Sequence, residues 1–284
     1  MNINWYPGHM AKAKQMMQES LKLVDMVIEL LDARAPSSSS NPDFNALYAG
    51  KVRYVVLNKS DYADKTKTET WLNHFEKQNI KAIAANALNN TDIKRVRDLL
   101  FDLAKAKQLE IKQRKGINKT IRAMVVGIPN VGKSTFINSI AGAAKAKTGD
   151  KPGVTKARQW VRITPYFELL DTPGMLWPRL DNARTGLHLA YIGSIKEEII
   201  DIEEVAAHFL EDMTCLYPRH LSERYKLEDL NQDGHKLLEA IAAKRGMLKP
   251  GMVPDTERCA RVILNEYQAG LLGATTLELP DNDL

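Results

Sequence analysis

Cysteine is scarce in this 284-residue chain, and long apolar runs are missing from it. The two cysteines, Cys215 and Cys259, lie outside any Cys-x-x-Cys or Cys/His ligand spacing. We therefore expect reduced, partly buried helical residues, and neither a disulfide nor a metal site. No stretch of eighteen apolar residues occurs, which excludes a typical membrane-spanning helix. The first residues lack the charged-then-apolar layout of a signal peptide, so we expect a soluble, cytoplasmic protein without a membrane partner.

Acidic residues are sparse in the first part of the chain and abundant in the last part. Residues 1–178 carry 28 Lys and Arg against 16 Asp and Glu, whereas residues 179–284 carry 12 against 19. The length favours two domains, and this change of charge suggests a boundary near residue 178. The basic first part suits a polyanion such as RNA, and the alternative is a solvated lysine-rich surface without a partner.

The segment Gly127 to Ser134 fits G-x-x-x-x-G-K-[ST]. The apolar run before it, residues 124–126, predicts a buried strand, and the spacing of apolar residues after it predicts a helix. In such a P-loop the glycines turn backbone N–H groups toward phosphate oxygens, the lysine adds positive charge and the serine hydroxyl can bind Mg²⁺. The predicted nucleotide-binding residues here are Asn130, Val131, Gly132, Lys133, Ser134 and Thr135. A chance match in a glycine-bearing turn is the alternative.

An N-K-x-D tetrapeptide follows a second apolar run, residues 54–57. The run predicts a strand, so the tetrapeptide lies at a strand end, where open α/β sheets bind ligands. The Asp61 carboxylate can accept hydrogen bonds from the N1 and N2 donors of guanine, a donor pair that adenine lacks. We expect Asn58 to tie this loop to the P-loop and Lys59 to lie along the base, with Ser60 between them. The alternative is an exposed turn after a strand.

Two further loops complete the predicted site. Asn86 and Ala87 follow the apolar strand 82–85, where a GTPase commonly has Ser-Ala-Lys and uses a backbone N–H on guanine O6. A D-x-x-G tetrapeptide follows the predicted strand 167–170. We expect Asp171 to hold the Mg²⁺ shell together with Ser134 and Thr155, and the Gly174 N–H to bind the γ-phosphate. Lys133 and Thr155 are also the predicted catalytic residues of this site.

The remaining pattern predicts a basic amphipathic helix over 8–23, a loop over 37–42 and helices over 66–77 and 91–110. A basic connector spans Lys105 to Arg122, and strands are expected over 24–31 and 159–163. Beyond residue 178 the apolar residues recur at helical spacing over 183–196, 202–216, 235–245 and 255–272. Asp255 suits an N-cap, and Gly246 suits a helix end. We thus predict an α/β domain over 1–178 and an all-helical domain over 179–284.

The order of these motifs is unusual, because the N-K-x-D segment precedes the P-loop by almost seventy positions. Circular permutation explains this order while preserving every contact of the site. The strands then run, in sequence, as the fourth, fifth, sixth, first, second and third of the usual fold. The predicted fold is a circularly permuted P-loop GTPase domain, a mostly parallel six-stranded sheet, followed by helices.

Five segments in this order resemble the circularly permuted GTPases of the YlqF type, and the resemblance spans the chain. They are Trp5 to Met10, Asp32 to Pro36, Asn58 to Asp61, Gly127 to Ser134 and Asp171 to Gly174. The resemblance implies a GTPase that acts in late maturation of the large ribosomal subunit, binds GTP, GDP and ribosomal RNA, and is slow until the particle stimulates it. We expect a monomer when free, with the main RNA contact on the basic first part and local help from Arg219, Arg224 and Lys226.

Many GTPases orient the attacking water with a glutamine after D-x-x-G, but Met175 occupies that position here. A K⁺ ion with backbone groups, a side chain of a partner or a histidine elsewhere in this chain could take this role. His9 is the internal candidate, since imidazole can orient water at neutral pH. The alternative for His9 is an ordinary residue at a helix start. Related GTPases with asparagine at the position of Asn130 use K⁺ near the β and γ phosphates, so Asn130 is a candidate K⁺ ligand. The alternative for Asn130 is an ordinary loop residue.

Two other function classes remain open from the residues. A metabolic P-loop enzyme such as a kinase would make the N-K-x-D segment accidental, and competition of bound GTP by ATP separates it from a GTPase. A GTP switch acting on a protein or a tRNA-modification partner would share the nucleotide site. Capture of ribosomal particles with and without a GTP analogue distinguishes that switch from an assembly factor.

Overall fold

The computed structural model describes residues 15–42, 48, 51–142, 159–172 and 182–280. The main sheet is built from β1 (Met26–Asp32), β2 (Val52–Asn58), β3 (Lys81–Ala85), β4 (Ile121–Val126), β5 (Gln159–Thr164) and β6 (Phe167–Asp171). Their order across the sheet is β3-β2-β1-β4-β6-β5. All neighbours pair in parallel except the edge strand β5, which runs antiparallel to β6.

This topology confirms the predicted fold class. In the numbering of the usual, unpermuted fold the observed order reads 6-5-4-1-3-2, so the strand that precedes the P-loop lies at the centre of the sheet. The central strands read as near-continuous apolar runs because helices cover both of their faces. All seven residues of β1 are buried, including Glu29, whose carboxylate accepts from Arg53 Nε at 2.7 Å.

Three helices of the α/β part are α1 (Lys65–Lys77), α2 (Asn90–Lys115) and α3 (Lys133–Ala141). The Asp64 side chain caps α1 and the Asn89 side chain caps α2, each by accepting backbone N–H groups of the first turn. Helix α2 is longer than the predicted 91–110. The predicted connector is helical as far as Lys115, because its Lys, Gln, Glu and Arg residues favour helix and only Gly116 provides a left-handed end.

The start of the described chain differs in part from the prediction. Residues 15–21 are helical and residues 22–23 form a turn, so the predicted helix over 8–23 ends earlier, and its first residues lie outside the described ones. Met17 and Leu21 bury their side chains in a small cluster with β1 and β4. The loop predicted over 37–42 is wrong at its start, since Pro36–Ser39 forms one helical turn with proline at its first position.

The last part of the chain contains α4 (Ala183–Tyr191), α5 (Ile202–Leu216), α6 (Pro218–Tyr225), α7 (Gly234–Lys244) and α8 (Thr256–Gln268). Helix α4 ends before the predicted Lys196 because Gly193 adopts φ +76°, and α8 ends before Leu272, where Gly270 also has φ +76°. Asp255 caps α8 as predicted. The prediction of an all-helical part is wrong in one detail, since β7 (Leu248–Lys249) and β8 (Val253–Pro254) form a short hairpin.

The two parts share one hydrophobic core. A continuous cluster of buried side chains joins strand residues such as Leu30 and Val125 to helix residues such as Leu189, Phe209 and Leu264. The boundary at residue 178 therefore stays a prediction about sequence organisation. Both cysteines are free thiols in helices, as predicted, but only Cys259 is buried, and the expected partial burial of Cys215 is wrong. Among the described residues, no helix combines the length and hydropathy needed to cross a membrane.

Candidate functional site

The predicted loops meet at one edge of the sheet. The strands β1, β2, β3, β4 and β6 are parallel, so their carboxyl ends lie on the same side. The P-loop follows β4, the N-K-x-D loop follows β2, the 86–87 loop follows β3, and Asp171 is the last residue of β6. This is the edge at which open α/β sheets bind ligands. Sequence segments up to about a hundred residues apart thus form one candidate site.

Two glycines allow the P-loop to pass close to its neighbours. Gly132 precedes α3 with φ +98°, and a Cβ on it would lie 2.6 Å from Asn58 Nδ2. Gly127 has φ +154°, and a Cβ there would lie 2.6 Å from the Leu30 carbonyl oxygen. Both the backbone conformation and the space exclude a side chain. The first residues of α3 then present a helix N-terminus, which favours anions.

Lys133 is buried inside the P-loop. Its Nζ donates to the carbonyl oxygens of Gly127 at 3.0 Å and Ile128 at 2.7 Å. Burial lowers the pKa of Lys133 to about 8, while the Asp171 carboxylate acts in the opposite direction. The charge of the Asp171 carboxylate, at the end of β6, therefore acts on the buried ammonium group of Lys133.

The oxygen donors at this edge fit Mg²⁺. Asp171 lies opposite Val125 of β4 in the sheet register, and the residue is 8% exposed. Ser134 stands at the start of α3, and Thr172 Oγ1 donates to the Val125 carbonyl at 2.6 Å, which fixes the chain after β6. Carboxylate and hydroxyl oxygens are the ligands Mg²⁺ prefers. Ser134 and Asp171 are therefore the described residues that could hold the ion.

Asn58 joins three loops. Its Nδ2 donates to the Val131 carbonyl of the P-loop at 2.7 Å, and its Oδ1 accepts from the Ala87 N–H at 3.0 Å. Lys59 adopts φ +57°, and its Nζ donates to the Asn130 carbonyl at 2.9 Å. The N-K-x-D loop is therefore fixed against both neighbouring loops.

Asp61 is exposed in a short 3₁₀ turn that also contains Ser60. Partial burial, followed by the nearby Asp92 and Asp32 carboxylates, raises the pKa of Asp61, whereas Arg34 lowers it. An exposed carboxylate in the loop that Lys59 joins to the P-loop is the arrangement that the guanine prediction requires, because it can accept two N–H groups from one base edge. The role of Asp61 in base recognition stays a prediction.

The 86–87 loop uses its backbone donors within the protein. The Asn86 N–H donates to Asp92 Oδ2 at 2.9 Å, and the Ala87 N–H donates to Asn58. The Leu88 N–H donates to the Asn86 side chain at 2.8 Å. A bond from Asn86 or Ala87 to guanine O6, as predicted, would have to share or replace one of these hydrogen bonds.

Contacts from the last part of the chain also reach the P-loop, and the sequence did not predict them. Asn130 adopts φ +58°, and its Nδ2 donates to the Gly193 carbonyl at 2.7 Å. Ser194 Oγ donates to the Pro129 carbonyl at 2.9 Å. Gly193 stands just after α4, where a helix end was expected only later. The remaining predicted site residues, His9, Thr155 and Gly174, lie outside the described residues.

Comparisons with known proteins agree with this arrangement. A family described as "50S ribosome-binding GTPase" matches residues 122–243. A GDP-bound YlqF structure covers 94% of this chain and 100% of its own, at 26% identity and a TM-score of 0.71. A GNP-bound YlqF structure from Thermotoga maritima covers 95% and 99%, at 28% identity and a TM-score of 0.69. These two neighbours share the fold over nearly the whole chain.

Relatives that match over nearly the whole chain identify the family more specifically. Ribosome biogenesis GTPase A of Bacillus cereus is 44% identical over 99% of this chain and 95% of its own. The protein of the same name from Thermotoga maritima is 30% identical over 99% and 95%. A base loop that precedes the P-loop in sequence while sharing its sheet edge is the arrangement of the circularly permuted P-loop GTPases. Within that class, the chain belongs to the ribosome biogenesis GTPase A family of YlqF-type proteins.

Proposed function

We propose that this GTPase is an assembly factor for late maturation of the large ribosomal subunit, which it binds through ribosomal RNA or the particle in a nucleotide-dependent way. The observation that best supports the nucleotide part is the single edge at which Asn58 links the P-loop to both base loops. The ribosomal part is supported by the relatives named ribosome biogenesis GTPase A. We place the protein in the cytoplasm, as a monomer when free.

The site residues have separate tasks in this proposal. Asp61 selects guanine by accepting from N1 and N2, and the loop at Asn86 and Ala87 lies beside the base. Lys133 neutralises the outer phosphates from its buried position next to Asp171. Ser134 and Asp171, together with Thr155, would hold Mg²⁺, which supplies charge neutralisation at the β and γ phosphates. The Gly174 N–H binds the γ-phosphate.

Hydrolysis also needs a group that orients water, and we propose His9 for it because Met175 has no donor and only a weak sulfur acceptor. His9→Ala should keep nucleotide and subunit affinity within about twofold and lower the hydrolysis rate with subunits by about 10²-fold, the lower range of general-base effects. Turnover should be measured with and without large subunits. A variant that retained full stimulation would remove His9 from the mechanism.

Asn130 is our candidate for K⁺ binding. Its Nδ2 bonds Gly193, which leaves its side-chain oxygen as the cation ligand. Turnover should be higher in K⁺ than in Na⁺ at equal ionic strength, and Asn130→Ala should reduce that difference. Equal turnover of the wild-type protein in the two salts would contradict the assignment.

The RNA contact is placed on the basic first part. The end of α2 is exposed and carries Lys105, Lys112, Arg114 and Lys115 with one acidic residue, Glu110, nearby in sequence. Such a surface suits the phosphate backbone of RNA. In the last part, Arg219 and Lys226 are exposed, but the Arg224 guanidinium is paired with Glu266 at 2.8 Å, so Arg224 is less available than predicted.

Capture of ribosomal particles tests the proposed function. Tagged protein loaded with a non-hydrolysable GTP analogue should retain large-subunit precursors, and the GDP-loaded protein should retain several-fold fewer. Excess ATP should leave the analogue bound, which separates a GTPase from a metabolic P-loop enzyme. Capture of a protein or of tRNA-modification components in place of large subunits, with the same nucleotide dependence, would favour the alternative GTP switch.

A further inference from the structure

The segment Asp32 to Pro36 is a prominent sequence motif to which the nucleotide site assigns no task. Asp32 is the last residue of β1, the strand that lies between the N-K-x-D strand β2 and the P-loop strand β4. In the register of the sheet it stands opposite Asn58. Its side chain is fully buried at the edge where the loops meet. A buried carboxylate at this place needs partners, because an unpaired charge would be costly.

Arg34 supplies the main pairing. Its Nε donates to Asp32 Oδ1 at 2.9 Å, and its Nη2 donates to Asp32 Oδ2 at 2.8 Å. The Arg34 backbone N–H adds a third bond to Oδ1 at 3.1 Å. This two-pronged pairing fixes both the position and the plane of the carboxylate. Arg34 and Lys59 hold the pKa of Asp32 well below its usual range against the effect of burial, so the group stays charged.

The same carboxylate holds the lysine of the N-K-x-D loop. Lys59 Nζ donates to Asp32 Oδ2 at 3.0 Å and to the Asn130 carbonyl of the P-loop at 2.9 Å. Lys59 therefore spans from β1 to the P-loop while its own backbone keeps a left-handed conformation. Because Arg34 fixes the Asp32 carboxylate, it also fixes the point to which Lys59 is anchored.

The other side of Arg34 contacts the end of the chain. Its Nη1 donates to the Tyr267 carbonyl of α8 at 2.9 Å, and its guanidinium lies 5.0 Å from the Tyr267 ring centroid and 5.8 Å from that of Tyr62. The Arg34 carbonyl accepts from the Leu277 N–H at 2.8 Å, and the Tyr62 carbonyl accepts from the Thr275 N–H at 2.9 Å. Tyr62 directly follows Asp61, so the base loop and the end of the chain share these contacts.

We propose that Asp32 and Arg34 form a positioning pair, in which Asp32 sets Lys59 for nucleotide binding and Arg34 couples that anchor to the docking of α8 and residues 275–277. The pair does not touch the nucleotide and acts through Lys59. By reciprocity, nucleotide binding must stabilise the docked end of the chain by the same factor by which docking strengthens nucleotide binding. The proposal rests on the proposed guanine site.

A double-mutant cycle on GDP affinity tests the link between Asp32 and Lys59. Asp32→Asn and Lys59→Met should each weaken GDP binding by about tenfold, the effect expected for a charge-assisted hydrogen bond. The double variant should be within about twofold of either single one, because Asp32 acts through Lys59. A roughly hundredfold loss in the double variant, or an unchanged affinity of Asp32→Asn alone, would overturn the proposal and leave the guanine site standing. Wild-type affinity of Lys59→Met would overturn both.

Glu29→Gln is the matched control, because Glu29 is a second buried, paired carboxylate on β1 that touches Arg53 and not the base loop. It should destabilise the fold and leave GDP affinity within about twofold of the wild-type value.

If Asp32→Asn does not fold, Arg34→Lys still tests the coupling, since lysine keeps a charge beside Asp32 but lacks the planar donor fork. In the wild type, GDP should slow hydrogen exchange at the Thr275 and Leu277 amides by about fivefold or more. Equal slowing in Arg34→Lys would contradict the coupling.

Discussion

Lys133 is a buried ammonium group whose charge changes within the accessible pH range. Its pKa is lowered to about 8 by burial, and bound phosphates would raise it again. Where Lys133 is deprotonated in the free protein, nucleotide binding should therefore be accompanied by uptake of a proton. The affinity for nucleotide should fall as the pH rises above about 8. Calorimetry in two buffers of different ionisation enthalpy should show little uptake at pH 7 and more than about half a proton at pH 8.5. An absence of uptake at pH 8.5 would contradict the lowered pKa of Lys133.

Gly132 lies close to Asn58, the residue that joins three loops of the site. A Cβ in Gly132→Ala would press on Asn58 Nδ2, and Asn58 would lose its bonds to Val131 and Ala87. GDP binding should weaken by more than about tenfold, the effect of about 1.4 kcal/mol. Gly116→Ala is the matched control, because Gly116 has φ +67° but nothing within 4 Å of its Cβ position. It should lose about 1 kcal/mol of stability without loss of GDP affinity. Equal GDP affinities of Gly132→Ala and the wild-type protein would show that GDP binding does not need the bonds of Asn58.

The sequence predicted the residues of the nucleotide loops because each motif is short and follows an apolar run. It did not predict the bonds of Asn130 to Gly193 or of Arg34 to Tyr267, since these partners are 63 and 233 positions apart. One signal was available: Asp32, the last residue of β1, directly follows the apolar Leu30 and Leu31, and a charge at such a place needs a buried partner. The identity of those partners depends on tertiary packing, which periodicity does not encode.

Among the elements, the six strands of the main sheet and the helices α1, α5 and α7 were predicted to within about three residues of their ends, whereas the hairpin strands β7 and β8 were not predicted. The signals of the predicted elements are local, namely apolar runs, helical spacing and capping residues. Helix α2 was underestimated because its end carries mostly charged and polar residues, so the amphipathic pattern fades while helix propensity stays high. The segment 275–278 was not predicted at all. It has no periodicity, and its order comes from bonds such as Trp71 Nε1 to the Glu278 carbonyl at 3.1 Å.

The exposed end of α2 is expected to contact the phosphate backbone of RNA. Lys112→Gln with Lys115→Gln should weaken large-subunit binding and lower the slope of log affinity against log salt by up to about 2, about one unit for each lost phosphate contact. Stability should change by less than about 0.5 kcal/mol, as for other surface substitutions. Lys236→Gln with Arg258→Gln removes two exposed charges from the last part of the chain and is the matched control. Equal salt slopes for the two double variants would place the RNA contact elsewhere.

The core shared by the two parts suggests that the whole molecule unfolds as one cooperative unit. Buried residues of the sheet, including Leu30, belong to the same cluster as Phe209 and Leu264 of the helices. Thermal unfolding should therefore show a single calorimetric transition, with equal calorimetric and van't Hoff enthalpies. GDP at about a hundred times its Kd should raise the free energy of unfolding by about 2.7 kcal/mol. Two separate transitions would mean that the parts before and after residue 178 unfold independently.

The permuted order gives the last part of the chain direct access to the nucleotide loops. The Gly193 carbonyl accepts from the Asn130 side chain of the P-loop, and Ser194 Oγ donates to the Pro129 carbonyl. The Tyr267 carbonyl accepts from Arg34, whose partner Asp32 also binds Lys59 of the N-K-x-D loop. A change in the position of these helices would alter both loops together. Nucleotide state and the surface offered to a partner are therefore expected to depend on each other.

An orthogonal nucleotide tests most directly the claim that guanine nucleotide bound at Asp61 controls binding to the large subunit. Asp61→Asn should lose affinity for guanine nucleotides and gain affinity for xanthine nucleotides, whose base offers an acceptor where guanine offers a donor. Its co-sedimentation with large-subunit precursors should then fail with a GTP analogue and recover with the matching xanthosine triphosphate analogue. The wild-type protein should show the reverse. Asp61→Asn that co-sediments equally with both analogues, or as well without nucleotide as with it, would contradict control of subunit binding by the nucleotide at Asp61.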